Sequence, residues 1–185
     1  MKKTLLLLIT IFTFCLSVFA VQDLRWRNQP IKVYMPNIGQ MSSWMNQAFK
    51  TWEQQSKGLV QFKFVQSKQF SDIDVEFVDI VENCNDINAV GCTHMYSRDG
   101  RNFSKAVITI GVMNYTYSKN KGKVAKTGSL RNKENIYGVM LHEIGHAIGL
   151  DHSKIPKSIM YPYDLEMIQV LTPNDLNILY KKYSH

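Results

Sequence analysis

Residues 142–152 read HEIGHAIGLDH, which places three of the chain's five histidines within eleven residues. On a helix, His142 and His146 stand about 400° apart in rotation and about 6 Å apart along the axis, so their side chains share one face. Continued helically, His152 would lie about 9 Å farther along the axis and about 240° around, out of reach of any point the first two share. Gly149 removes that obstacle. Glycine takes positive φ without a Cβ clash, so it can end a helix with a left-handed residue and turn the chain back. These residues therefore demand a helix, a break at Gly149 and a returning segment that carries His152.

Three imidazoles gathered in this way suit a metal ion bound at about 2.1 Å, and three nitrogens leave the fourth tetrahedral position of Zn²⁺ to water. An open position indicates catalysis, whereas a closed four-ligand site would indicate structure. Glu143 is about 100° around the helix from His142, close enough to touch that water without binding the metal. The chemistry implied is peptide-bond hydrolysis by a metal-activated water, with Glu143 taking the water proton and passing it to the leaving amine. One catalytic zinc is expected, on His142, His146 and His152. HExxH alone arises by chance on many helices as two surface histidines and a solvated glutamate, but the extended HExxHxxGxxH is far rarer.

HEIGHAIGLDH, followed by Ser153 and by SIMYP at 158–162, resembles the metzincin metalloproteases and within them the matrixins. AFKTWEQQSKGLVQFKFV (48–65) and DIDVEFVD (72–79) are similar to the first helix and following strands of matrixin catalytic domains, and LTPNDLNILYKKY (171–183) to their last helix. The resemblance implies an α+β zincin fold: a twisted, mostly parallel five-stranded sheet with an antiparallel edge strand, an active-site helix, a C-terminal helix and a cleft that holds zinc. It also implies that Met160 is the methionine of a tight turn beneath the metal, and that the substrate is a protein or peptide. Matrixins commonly carry Pro-x-Tyr beside the specificity pocket, and Pro162-Tyr163-Asp164 shifts the aromatic by one. Tyr163 is thus a candidate for lining that pocket, with a plain surface role as its alternative. The family's structural zinc and calcium sites use a segment rich in histidine and aspartate. Here GCTHMYSRDGRNFSKAVITIGV (91–112) matches only at His94, which without partners reads as a strand histidine, so no structural zinc or calcium is expected.

Elsewhere the periodicity supports the same class. IKVYM (31–35), LVQFKFV (59–65) and IDVEFV (73–78) alternate as strands, while Met41, Trp44, Met45, Ala48, Phe49 and Trp52 recur at helical spacing over 41–55. THMY (93–96) and AVITIGV (106–112) flank a turn-rich stretch and suggest a hairpin-like pair. From Asn114 to Lys133 the chain reads as polar and irregular. Helices are expected from about Lys133 to Ile148 and after Thr172, an N-cap followed by Pro173 and Asp175. No repeat or linker divides the chain, so residues 21–185 read as a single catalytic domain.

The first twenty residues, MKKTLLLLITIFTFCLSVFA, carry the marks of an export signal, with cleavage expected after Ala20. The apolar run is shorter than the ~20 residues of a spanning helix. Cys84 and Cys92 then become the only cysteines of the mature chain, and an oxidising compartment makes a disulfide between them the default. About ten residues separate the signal from the first strand, so no latency propeptide is expected. The protein is expected to be secreted or periplasmic and monomeric, with no nucleic-acid partner and no stable membrane association. The formal charge of +7 is partly gathered at 118–133, where Lys119, Lys121, Lys123, Lys126, Arg131 and Lys133 have no acidic neighbour. That stretch reads as a solvated loop or as a guide for an acidic substrate. Two other classes stay open: a catalytically silent zinc-binding or adhesion module, which would have no need of Glu143, and a basic surface-binding protein. Metal analysis separates them.

Overall fold

The computed structural model describes residues 24–82, 84, 88–120, 123–163 and 168–184; the export signal expected at 1–20 lies outside the described residues. Among them, the alternating stretches form β1 (Ile31–Tyr34), β2 (Phe62–Val65), β3 (Ile73–Val78), β4 (Gly91–Ser97) and β5 (Phe103–Gly111). These make one sheet in the order β2-β1-β3-β5-β4, parallel throughout except for the antiparallel edge strand β4. Alternation sorts the faces. Ile31, Val33, Ile73, Val75, Ala106, Ile108 and Ile110 are buried on one side, and Lys32, Asp74, Glu76 and Lys105 occupy positions of the other parity. Asp74 is itself buried there, neutralised by Lys105 at 2.8 Å and hydrogen-bonded to Ser71.

Two helices pack on the apolar face. In α1 (Gln40–Gln55) the spacing of Met41, Met45, Ala48, Phe49 and Trp52 gives a single buried stripe. In α2 (Lys133–Ala147) nearly every residue from Ile136 onward is buried, which marks a helix covered on all sides. The indole of Trp52 donates to the Leu141 carbonyl at 2.9 Å, fixing where the two helices meet. Asn132 caps α2 by accepting from the Asn135 amide. The last helix, α3 (Pro173–Tyr183), starts with a capping box in which Thr172 and Asp175 satisfy each other's backbone N–H groups. No helix of the described residues is long and apolar enough to cross a membrane.

Two sequence expectations need correction. Leu59 and Val60 lie outside β2, because the chain is still turning after α1 through Lys57 and Gly58, both at positive φ. The stretch read as irregular from Asn114 is instead a two-stranded antiparallel hairpin, β6 (Met113–Asn120) with β7 (Lys123–Leu130), continuous in register from Met113↔Leu130 to Asn120↔Lys123. Met113, Tyr115 and Tyr117 do alternate with Asn114, Thr116 and Ser118, but the partner strand KVAKTGSL carries no matching alternation, and strand pairing satisfies the backbone whatever the side chains are, so the pattern marks one strand and not the pair.

Candidate metal centre and catalytic residues

Helix α2 ends in a Schellman turn. The Leu150 amide reaches the Gly145 carbonyl at 2.9 Å, the Gly149 amide reaches His146 at 2.8 Å, and Gly149 sits at φ +92°. Beyond it the Ser153 amide bonds the Met160 carbonyl at 2.8 Å, which lays the segment carrying His152 against the turn Ser158–Tyr161. His142, His146 and His152 are thereby brought together, each offering one ligand atom, all within 4.8 Å of one another.

Two of the rings are held from behind. Nδ1 of His142 lies 2.7 Å from the Ile159 carbonyl, and Nδ1 of His146 lies 2.7 Å from the Leu150 carbonyl. A carbonyl only accepts, so each Nδ1 carries the ring proton and each Nε2 presents a lone pair. Those two Nε2 atoms are 3.0 Å apart. Facing lone pairs at that distance repel unless a cation lies between them. Bonds of 2.0–2.1 Å in tetrahedral array would set such nitrogens about 3.4 Å apart, within the span of the three ligand atoms. The donor set therefore fits Zn²⁺, for which neutral imidazole is an ordinary ligand. Burial lowers the His142 pKa to about 3, with the nearby His146 acting in the same sense, and burial lowers that of His146 too. Both rings thus favour the neutral form that coordinates. His142 is buried, His146 half-buried and His152 exposed, so the cluster opens on the His152 side.

Glu143 is 5% exposed and faces β4. The Thr93 hydroxyl lies 2.7 Å from its Oε2 and 3.0 Å from its backbone carbonyl. Burial raises its carboxyl to about 7, against the opposing pull of the Thr93 hydrogen bond. Met160 is buried beneath α2: a Cβ at Gly145 would stand 2.3 Å from its sulfur, so only glycine leaves room for it. Tyr163 is 65% exposed, with its ring edge-on to Tyr161 at 5.6 Å. Cys84 and Cys92 are joined by a disulfide that ties the preceding loop to β4. His94 is exposed on the opposite sheet face, at the rim of a cavity of about 710 Å³ lined also by Glu76, Asp79, Glu82 and Tyr115. None of the three clustered histidines lines that cavity. Within the basic stretch, Lys133 bonds Gln47 at 2.9 Å and lies over the Tyr137 ring.

Periodicity does not reveal the residues that hold the cluster in place. Asp175, fully buried, accepts from the Ile159 amide at 3.2 Å, from the Thr172 amide and hydroxyl at 2.8 and 2.7 Å, and from the Ser158 hydroxyl. It thus joins the start of α3 to the turn whose Ile159 carbonyl orients His142. Its signal in the sequence is only that of a capping residue. Thr93 carries no signal at all, being one polar residue of a short strand.

The sequence profile of the peptidase M10 family, Matrixin, matches residues 21–184. A putative matrix metalloproteinase of Trichoplusia ni ascovirus 2c is 62% identical over 29 residues, which is 16% of this chain and 6% of that protein. The probable matrix metalloproteinase 095L of invertebrate iridescent virus 3 is 49% identical over 43 residues, 23% of this chain and 12% of that protein. The hatching enzyme of Paracentrotus lividus is 28% identical over 161 residues, 78% of this chain and 24% of its own length. The aligned stretches are thus a quarter or less of each of these relatives.

Proposed function

The chain belongs to the matrixin family, and from that premise we propose that it is a zinc-dependent endopeptidase acting on proteins or peptides. The observation that carries the proposal is the convergence of His142, His146 and His152, two of them pinned with their lone pairs inward, beside a buried carboxylate. Bound there, zinc supplies a Lewis acid that polarises the scissile carbonyl and brings the pKa of water to about 7. Glu143 accepts the proton of the attacking water and returns it to the departing amine. The Ile159 and Leu150 carbonyls keep the two imidazoles in one tautomer and orientation. Strand β4 ends the sheet, and Gly91 and Thr93 on it touch Glu143, so an extended peptide pairing with its outer edge would pass beside the histidines. Met160 supports the cluster from below, and Tyr163 lines the pocket for the residue after the cut bond. Residues 1–20 direct export, and the rest works as a monomer in the periplasm or outside the cell.

The test is made on the chain without residues 1–20. It should carry about one zinc, cleave denatured protein or a peptide library, and stop when a chelator removes the metal. Glu143→Ala should keep the zinc and lose about 10²–10⁴-fold in kcat. Stoichiometric zinc without hydrolysis would favour a binding module, and no zinc after reconstitution would favour a basic surface-binding protein.

A further inference from the structure

Glu143 is buried and has one side-chain partner among the described residues, the Thr93 hydroxyl at 2.7 Å. Thr93 comes from the edge strand, fifty residues back in the chain. Its register partner is Ile108, a buried residue of the helix-facing side, whereas Cys92 and His94 alternate to the other face. Gly91, two residues before it, points the same way. A Cβ at Gly91 would stand 2.6 Å from Cγ and 2.7 Å from Oε1 of Glu143, so the absence of a side chain there is what lets the carboxylate lie against the strand. Between the two, Cys92 is bonded to Cys84, which anchors this end of β4.

We propose that Thr93 is a positioning residue: with Gly91 it forms a seat on β4 that holds the side chain of Glu143, the neighbour of His142 on α2, in one rotamer. The role rests on the endopeptidase reading, in which Glu143 handles the proton of water. A free carboxylate at the end of a three-torsion side chain samples several rotamers, and only those directed at the reacting water transfer a proton usefully. The 2.7 Å hydrogen bond selects one. The methyl group of threonine is not needed for this, but the hydroxyl is.

The variants that separate hydroxyl from packing are Thr93→Val, close in shape without the hydroxyl, and Thr93→Ser, which keeps it. In zinc-loaded protein, Thr93→Val should lower kcat about tenfold or more with KM within about twofold and zinc content unchanged, and Thr93→Ser should restore most of the loss. A second readout needs neither activity nor metal. In zinc-free protein, the melting temperatures of Thr93→Val, Glu143→Ala and the double variant should be non-additive, because the hydroxyl–carboxylate bond is lost in either single variant, while the contact of the same hydroxyl with the Glu143 backbone carbonyl survives Glu143→Ala. Additive melting shifts, or a kcat loss that serine does not repair, would overturn the assignment. Should the wild-type protein bind zinc yet cleave nothing, the endopeptidase reading fails, and the melting cycle still decides whether Thr93 holds Glu143.

Discussion

Replacing Gly149 by alanine tests the turn on which the metal centre depends. At φ +92° the residue lies where L side chains are disfavoured, at a cost of about 1–2 kcal/mol. The added Cβ would also meet the Leu24 carbonyl oxygen at 3.0 Å, Cε2 of Phe103 at 2.9 Å and Cδ of Lys182 at 3.2 Å. The lysine stem can move. The backbone oxygen and the ring, which packs against Trp26 with centroids 5.6 Å apart, yield less readily, and such overpacking costs about 1–3 kcal/mol. Together these predict a loss of about 2–5 kcal/mol, or a fall of about 4–20 °C in the melting temperature of the zinc-free protein for a domain of this size. If the turn opens to relieve the strain, the Leu150 carbonyl leaves His146 and His152 loses its approach, so zinc affinity should weaken by about tenfold or more. Thermal melts of the metal-free protein and competition with a zinc chelator measure the two effects. Gly149→Asn should recover part of the first effect, since asparagine tolerates positive φ better but has the same Cβ. A Gly149→Ala protein with wild-type melting temperature and zinc affinity would refute the reasoning.

Asp175→Ala should destabilise the fold by about 3–5 kcal/mol, because it strands donors of Ser158, Ile159 and Thr172 and removes half of the α3 capping box; it should also weaken zinc binding through Ile159, as read by melting and chelator competition. With Glu143 as the proposed base, which must be ionised to accept a proton, activity should rise with pH along an acid limb at or below about 7, the value to which burial raises its carboxyl, with a bound cation pulling the limb lower; a pH–kcat/KM profile flat from 4 to 8 would contradict this. In the zinc-free chain, His142 protonates at about 3 when folded and at 6.5 when unfolded. Folding stability should therefore fall as pH drops through that window, by about 1.4 kcal/mol per unit for this one group, and denaturant melts in His142→Gln should lose that slope. Replacing Cys84 and Cys92 by serine should cost about 2–3 kcal/mol, from the short loop the bond closes, measured by thermal melting under oxidising conditions.

The sequence by itself determined what local geometry can determine. A spacing of four on a helix, followed by glycine three residues on, specifies that the three imidazoles can share one ion, because rotation per residue and the φ allowed to glycine need no knowledge of the rest of the chain. The stripe of α1, the alternation of β1 and β3 and the cap at Thr172 are of the same kind. The β6–β7 hairpin was not read as a pair, since MNYTYS alternates but KVAKTGSL does not, and the pairing between them is satisfied through the backbone. The tertiary structure alone decided which carbonyl holds His142, which carboxylate ties α3 to the Met160 turn, and which hydroxyl meets Glu143; the Leu150 carbonyl on His146, four residues away, belongs to the local turn. Ile159, Asp175 and Thr93 lie 16 to 50 residues from the groups they hold. Such contacts depend on how the edge strand and the last helix pack around α2, and packing across that distance is a property of the whole core rather than of any window of sequence.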